Sequence, residues 1–485
     1  MASKCMQKPH AIFLPCPAQG HIMPMMHLAK ILHSRGFHIT FVHTEFNHLH
    51  LIRTGAIDPT VEIEGFCFEA IPDGLPQPAD ANALPDSTES TMSIFKHGLA
   101  TLRELIRRIN GDSQGGPPVS CMIRDAFMSV AQPIGDEFGI PDVAFWPMCG
   151  GSFMGFFHID ELIQRGYLFK DANCLTNGYL DTCIDWIPAM PGIRLKDLPT
   201  FIRTVDPNDI MLDFSIKVAQ TLLKASAIIL NTFDELDHEI IEAANHKFRL
   251  QRTYTLGPLF ALCNQIPNDN LNSVKSNFWK EEMECIEWLD KIADDTVVYV
   301  NFGSLAVLTP EQMKEFAWGL ANSNHPFMWF IRPDLVSGGS AILEREFLEE
   351  TKGRGLIAGW CAQKQVLDHP SVGGFLTHNG WNSTLESIHS GVPMLCWPFF
   401  GDQQMNCRFA CTVWGNGMEI DSDVKISERE RVEGAIKELM EGEKGKEMRK
   451  NAMKWKEKAR KAVEVGGPSH ISFDRLVNDL LVMKR

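Results

Sequence analysis

Two residues far apart in the chain could together move a proton. His21 closes the stretch Pro15-Cys16-Pro17-Ala18-Gln19-Gly20-His21, after an apolar run from His10 to Leu14 and before a helical stretch with Pro24 near its first turn. That order reads as strand, loop, helix, and puts the imidazole at the carboxyl edge of a sheet, where open α/β proteins bind ligands. A second apolar run, Val119 to Ile123, delivers Arg124 and Asp125 to the same edge. A carboxylate that accepts from one imidazole nitrogen leaves the other available as a base. Each residue also has an ordinary reading, as one of seventeen loop or core histidines and as an acid capping a helix. A dinucleotide site is a further chemical reading. It needs G-x-G-x-x-G, and only Gly20 is present here, which leaves Glu45 after the second strand as an isolated partial match.

A denser concentration lies between Trp360 and Gln403, WCAQKQVLDHPSVGGFLTHNGWNSTLESIHSGVPMLCWPFFGDQ. This span resembles the signature box of plant family 1 UDP-dependent glycosyltransferases: Trp360, Gln363, the HxGWNSxxE run from His378 to Glu386, and the closing Asp402-Gln403 all stand in place. The resemblance continues through PAQGH at the start, IPDGLP at Ile71 to Pro76, DWIPAMPGIRLKDLPTFIRT from Asp185 to Thr204, LNTFDELD from Leu230 to Asp237 and VVYVNFGS from Val297 to Ser304. These look like the subfamily that contains iridoid, cyanohydrin and terpenoid glucosyltransferases.

The resemblance implies a GT-B fold, two facing Rossmann-like doubly wound α/β domains with a cleft between them. It implies UDP-glucose as donor substrate, with no separate cofactor and no metal. Physical chemistry agrees with the box. Trp360 offers a flat face for a base, and the backbone at Ala362 with Gln363 can meet the polar edge of a uracil. Glu386, at i+4 from Asn382, can accept from a pair of ribose hydroxyls. His378-Asn379-Gly380 leads into a helix, so its first amides, with Asn382 and Ser383, face an anion. Ser304 is a further phosphate donor by the same resemblance, and Trp381, Asp402 and Gln403 hold the sugar. His21 then deprotonates an acceptor hydroxyl, Asp125 stabilises the imidazolium, and one displacement inverts the anomeric centre. The helix terminus and His378 carry the leaving-group charge, in keeping with the absence of an Asp-x-Asp metal motif.

Four positions depart from the family pattern. Ala362 stands where Pro is common, and Pro147 stands where a Thr hydroxyl usually contacts the sugar, with Ser152 as a candidate replacement. Met23 and Arg124 replace the more usual Asn and Ser. Trp146 and Ser152, with His21, are the expected acceptor pocket, drawn from variable loops that include Val143 to Ile159 and the stretch near Asp80 to His97. The expected acceptor is an iridoid aglycone such as 7-deoxyloganetin or another terpenoid, with cyanohydrins, flavonoids and other phenolics as alternatives. An NAD(P)-dependent oxidoreductase is the rival from another class.

These residues need a large scaffold, and 485 residues exceed what one core supports, which predicts two domains. In the first half, apolar runs at His10 to Leu14, His38 to His43, Cys67 to Ile71, Val119 to Ile123, Asp142 to Trp146 and Ala225 to Leu230 alternate with helical stretches. The second half repeats the pattern at Thr296 to Phe302, Phe327 to Arg332, Leu356 to Trp360, Gly373 to Thr377 and Val392 to Trp397. Thr309, Pro310 and Gln312 form a helix start with a capping box. The expected division is an acceptor domain at 1–262, a polar linker at 263–276 and a donor domain at 277–467, with a last helix at about 468–485 packing back on the first domain. The acidic, Pro-rich stretch Pro72 to Ser90 reads as a surface loop.

With 46 Lys and Arg against 61 Asp and Glu, the formal charge is −15, which excludes a general polyanion binder and predicts no nucleic-acid partner. The uncharged run Val143 to Ile159 is broken by Pro147, Gly150, Gly151 and Gly155, too interrupted for membrane insertion. Thirteen scattered cysteines without CxxC, and no secretory apolar run at the start, predict a cytoplasmic protein, and a monomer is the expected state of assembly. Cys407 and Cys411 have helical spacing but nothing beside them in sequence to complete a zinc site, and read as buried thiols. Asn382-Ser383-Thr384 matches a glycosylation sequon that a cytosolic chain would leave unmodified.

Overall fold

The computed structural model describes residues 8–74, 87–111, 116–250, 252–267, 271, 274, 284–332, 335–336, 343–420 and 428–483. In the first half, strands run at His10–Leu14 (β1), His38–Thr44 (β2), Phe66–Ile71 (β3), Cys121–Asp125 (β4), Asp142–Trp146 (β5), Ala227–Leu230 (β8) and Thr253–Thr255 (β9), with a separate antiparallel hairpin of Cys183–Ile184 (β6) and Ile193–Arg194 (β7). The second half contributes Val297–Asn301 (β10), Phe327–Phe330 (β11), Gly355–Ala358 (β12), Val372–Thr377 (β13), Met394–Cys396 (β14) and Gly417–Glu419 (β15). The first sheet orders its strands β3-β2-β1-β4-β5-β8-β9 and the second β12-β11-β10-β13-β14-β15. Neighbours in both sheets pair in parallel. Helices cover both faces, so the central strands are buried along their whole length: β1, β5, β10 and β11 have no exposed residue. This is the GT-B architecture expected from the sequence.

Strand order reverses between β1 and β4 and again between β10 and β13. At such reversals the loops after adjacent strands diverge and leave a crevice at the carboxyl edge. His21 and Asp125 follow β1 and end β4, while Gly303 and His378 follow β10 and β13.

Three local results differ from the expectation. The edge strands β9 and β15 were not anticipated, because three residues carry too little periodicity to register. The fourth strand is displaced by two residues and includes both Arg124 and Asp125. Arg124 does not reach the sheet edge at all. Its guanidinium is fully buried, with Nε 2.8 Å and Nη2 3.0 Å from the two carboxylate oxygens of Asp142 on β5. A charged residue paired this way continues a buried strand instead of ending it.

The capping box forms as expected, with Thr309 Oγ1 accepting the Gln312 amide and Gln312 Oε1 accepting the Thr309 amide. The helix Gly150–Phe157 is buried from end to end. A Cβ at Gly151 would stand 2.9 Å from Met405 and Phe409, so glycine there lets the helix Gln403–Thr412 of the second half approach closely. The last helix, Pro468–Val482, lies against the first sheet, where Ser469 donates to the Gly257 carbonyl at 2.6 Å and Arg475 to the Thr253 carbonyl at 2.9 Å. Among the described residues no helix is long and apolar enough to cross a membrane. Half of the expected linker 263–276 and the central part of the loop 72–90 lie outside the described residues, as does part of the stretch 80–97 expected near the acceptor.

Candidate active site

A cavity of about 610 Å³ opens between the carboxyl edges of the two sheets, a size typical of small-molecule sites. Its wall includes His21, Ser304, Trp360, Ala362, Gln363, His378, Gly380, Trp381, Asn382, Ser383, Glu386, Asp402 and Gln403. Residues up to 382 positions apart in sequence therefore share one space.

His21 lies in the first turn of the helix Gln19–Ser34, and its ring is about one-fifth exposed. Nδ1 is 2.8 Å from Oδ2 of the fully buried Asp125, whose Oδ1 accepts the Phe127 amide at 2.9 Å. Phe127 meets the imidazole edge-on, with ring centroids 5.3 Å apart. With Nδ1 held by the carboxylate, Nε2 is the nitrogen that can take a proton. Burial works to lower the imidazole pKa, but the charge and hydrogen bond of Asp125, with Asp402 behind them, outweigh it and raise the value above the ordinary one.

In the second half, polar side chains satisfy one another. Gln363 Oε1 accepts from Tyr299 Oη at 2.9 Å and Asn301 Nδ2 at 2.8 Å, while its Nε2 donates to Ser383 Oγ at 2.9 Å and Glu386 Oε2 at 2.7 Å. The Gln363 side chain is thus spent inside the wall, and its work is to orient Glu386. Burial pushes the Glu386 carboxyl up to about 7 against the opposing pull of Gln363. Tyr299 and Asn301 escaped the residue-by-residue reading. The only signal for Asn301 is a polar residue ending an otherwise apolar strand.

The helix Trp381–Ser390 points its first turn at the cavity, with Gly380 as N-cap and Asn379 at φ 62° just before it. The His378 ring is clasped between two glycines. A Cβ at Gly303 would stand 2.3 Å from His378 Nε2, and one at Gly380 would stand 2.4 Å from it. Burial, helped by the neighbouring Arg332, lowers the His378 pKa to about 4, so the ring is neutral near pH 7 and offers an N–H instead of a charge. Arg332 itself donates to the carbonyls of Gly303 and Ala306 and fixes the loop that carries Ser304.

At the far end, Gln403 Oε1 accepts the amides of Phe399 and Phe400 at 2.8 and 3.2 Å, which leaves its NH₂ as the donor it can offer a ligand. Burial raises the Asp402 carboxyl to about 6, while Asn406 and His21 pull the other way. Two box residues also bind the halves together. Trp381 Nε1 donates to the Asn231 carbonyl and Asn382 Nδ2 to the Gly20 carbonyl, both at 2.8 Å. The indole N–H of Trp381 is therefore committed to the seam, not to the cavity.

The expected acceptor pocket needs correction. Trp146 and Ser152 are wholly buried and do not line the cavity. Trp146 Nε1 donates to the Cys149 carbonyl at 3.1 Å, and Phe127 packs against it with the rings tilted by 32° and their centroids 6.0 Å apart. Ser152 faces Cys149, 3.4 Å from its sulfur, and does not replace the hydroxyl missing at Pro147. The wall beside His21 is apolar instead, formed by Met23, Phe127, Pro147, Met148 and Phe201.

Residues 14–458 match the family model described as UDP-glucoronosyl and UDP-glucosyl transferase. The chain is 51% identical over 477 residues to a 7-deoxyloganetin glucosyltransferase of Catharanthus roseus, an alignment covering 98% of this chain and 97% of the relative. It is 49% identical to an (R)-mandelonitrile β-glucosyltransferase of Prunus dulcis, covering 100% and 99%. Among solved structures, the Os79 protein of O. sativa in complex with UDP superposes with a TM-score of 0.79 at 26% identity, covering 97% of this chain and 100% of the other.

Proposed function

Because the chain belongs to the UDP-glucosyl transferase family that its residues 14–458 match, we propose that it moves glucose from UDP-glucose to a hydroxyl of a small plant metabolite with inversion at the anomeric carbon. The observation that carries this reading is a carboxylate-paired imidazole and a helix N-terminus opening on one cavity. His21 Nε2 takes the acceptor proton as the acceptor oxygen forms its bond to C1. The C1–O bond to the diphosphate breaks on the opposite face, and UDP leaves. Asp125 stabilises the imidazolium formed. Developing negative charge on the leaving phosphate meets the amides of Gly380 to Ser383, the Ser304 loop and the neutral His378 N–H. Trp360 stacks on the uracil, Glu386 accepts from the ribose hydroxyls, and Asp402 with the Gln403 NH₂ holds the glucose. The oxidoreductase alternative falls with the family assignment.

For the acceptor, the relatives' names and the apolar wall beside His21 favour an iridoid or other terpenoid alcohol over a polar phenol. Turnover would take place in the cytoplasm. The test is a panel of iridoid, terpenoid, cyanohydrin and flavonoid aglycones with UDP-glucose, the product's anomeric configuration being read by NMR. A β-glucoside formed fastest from an iridoid is expected. An α-glucoside would overturn the single displacement, and a marked preference for flavonoids would overturn the acceptor class.

A further inference from the structure

The pair Cys407 and Cys411 is joined in space by a third thiol that no sequence spacing reveals. Cys396 ends β14, Cys407 and Cys411 stand one turn apart on the helix Gln403–Thr412, and the three sulfurs all lie within 4.8 Å of one another. Among the described residues this is the one group of three or more metal-ligating side chains so closely set. Cys396 and Cys407 are buried, and Cys411 is half-buried, which gives the cluster a single open edge.

We propose that these thiols form a capture site for a trivalent thiophilic metalloid, of which arsenic(III) is the type. Soft sulfur ligands select soft ions. Zinc(II) closes its structural sites with four ligands, and the cluster supplies three. Charge separates the rest. Three thiolates around copper(I) leave two negative charges in a buried place, whereas three around arsenic(III) leave none, and uncompensated buried charge is costly. Geometry agrees as well. A metal–sulfur bond of about 2.3 Å sets sulfurs roughly 4 Å apart in a planar three-coordinate centre and closer in a pyramid, and Cys407 and Cys411 are 4.0 Å apart already. The reaction is balanced without redox chemistry: As(OH)₃ and three S–H groups give three As–S bonds and three waters.

Occupancy would reach the sugar end of the cavity. Asn379 Nδ2 donates to the Cys396 sulfur at 3.2 Å, and Asn406 Nδ2 donates both to the Asn379 carbonyl and to Asp402 Oδ2 at 2.9 Å. Drawing the sulfurs together therefore pulls on Asn379, which precedes the helix N-terminus, and on Asp402.

The test treats the reduced full chain with arsenite alone and follows native mass, free thiols and arsenic X-ray absorption, with zinc(II) and copper(I) as separate arms. One arsenic per chain, the loss of three thiols and three sulfur neighbours are expected, together with loss of sugar transfer. Cys411→Ser and Cys396→Ser, checked for fold by circular dichroism, should each lose the bound arsenic, and Cys411→Ser should keep its transfer activity in arsenite. Unchanged arsenic uptake in both variants, two-sulfur coordination, or tighter binding of zinc or copper would overturn the site. Bound arsenic that left turnover intact would overturn its link to Asp402.

Discussion

Around the donor end of the cavity, polar side chains are partners of one another: Tyr299 and Asn301 hold Gln363, Gln363 holds Ser383 and Glu386, and two glycines hold His378. Around the acceptor end, His21 rests on a bond to Asp125 and an edge contact with Phe127, and Met23, Phe127, Pro147, Met148 and Phe201 give that end an apolar wall. A network gains rigidity from every member and loses it when any one is removed. A single dyad against an apolar wall can keep its chemistry while the wall around it changes.

The sharpest way to break this contrast is His21→Ala. It should lower kcat by about 10² to 10⁴ with UDP affinity unchanged, the usual contribution of a general base; a parallel loss of UDP binding in calorimetry would show that the two ends are not separable. Asp125→Asn should cost on the order of 10² in kcat. It should also move the acidic limb of the pH–rate profile downward, because Asp125 helps hold the His21 pKa above the ordinary value and the base must be unprotonated. An unmoved limb would remove Asp125 from that role. On the donor side, Gln363→Ala should raise the UDP-glucose KM about tenfold, from loss of a hydrogen bond to a charged group worth ~1.5 kcal/mol, and leave acceptor KM alone.

A smaller effect concerns pH. The Glu386 pKa is raised to about 7 by burial, so the ligand-free protein holds a proton there below that value. Its contribution to stability is full below the ordinary carboxylate pKa and is lost as pH rises through about 7. Donor binding runs the other way. In the role proposed for Glu386, its carboxylate accepts from the ribose hydroxyls, so UDP affinity should fall as pH drops from 8 to 6, and Glu386→Gln should flatten that slope in a titration series. Last, Thr200→Val removes a hydroxyl that accepts the Gly401 amide at 2.7 Å across the seam. A loss of ~0.5 to 1.5 kcal/mol in denaturant unfolding is expected, with kcat nearly intact.

The same contrast explains what could be read without coordinates. The donor end is written almost contiguously from Trp360 to Gln403, so its members can be seen together, and all of them line the cavity. The acceptor end is assembled from separate loops, and which way a side chain points there depends on neighbours distant in sequence. Arg124 reads as a neighbour of Asp125, but successive strand residues face opposite sides, and a partner eighteen positions on draws it into the core. Trp146 and Ser152 lie close in sequence to Pro147, but Trp146 packs behind Phe127 and Ser152 is buried against Cys149. Doubly wound sheets were legible because buried parallel strands are continuous apolar runs, while the three-residue edges β9 and β15 were not.

Across the seam, Trp381, Asn382 and Arg408 donate to the carbonyls of Asn231, Gly20 and Gly192, and Thr200 and Gly401 exchange hydrogen bonds in which Gly401 offers only its main chain. Every residue type has a carbonyl to offer. At Asn231, Gly20 and Gly192 the first half can therefore exchange side chains without loosening the joint, Thr200 being the position that must keep its hydroxyl, and a graft of a relative's acceptor half onto this donor half has most of its fastenings ready-made. Modularity of this kind lets one sugar-delivering engine serve many differently shaped customers.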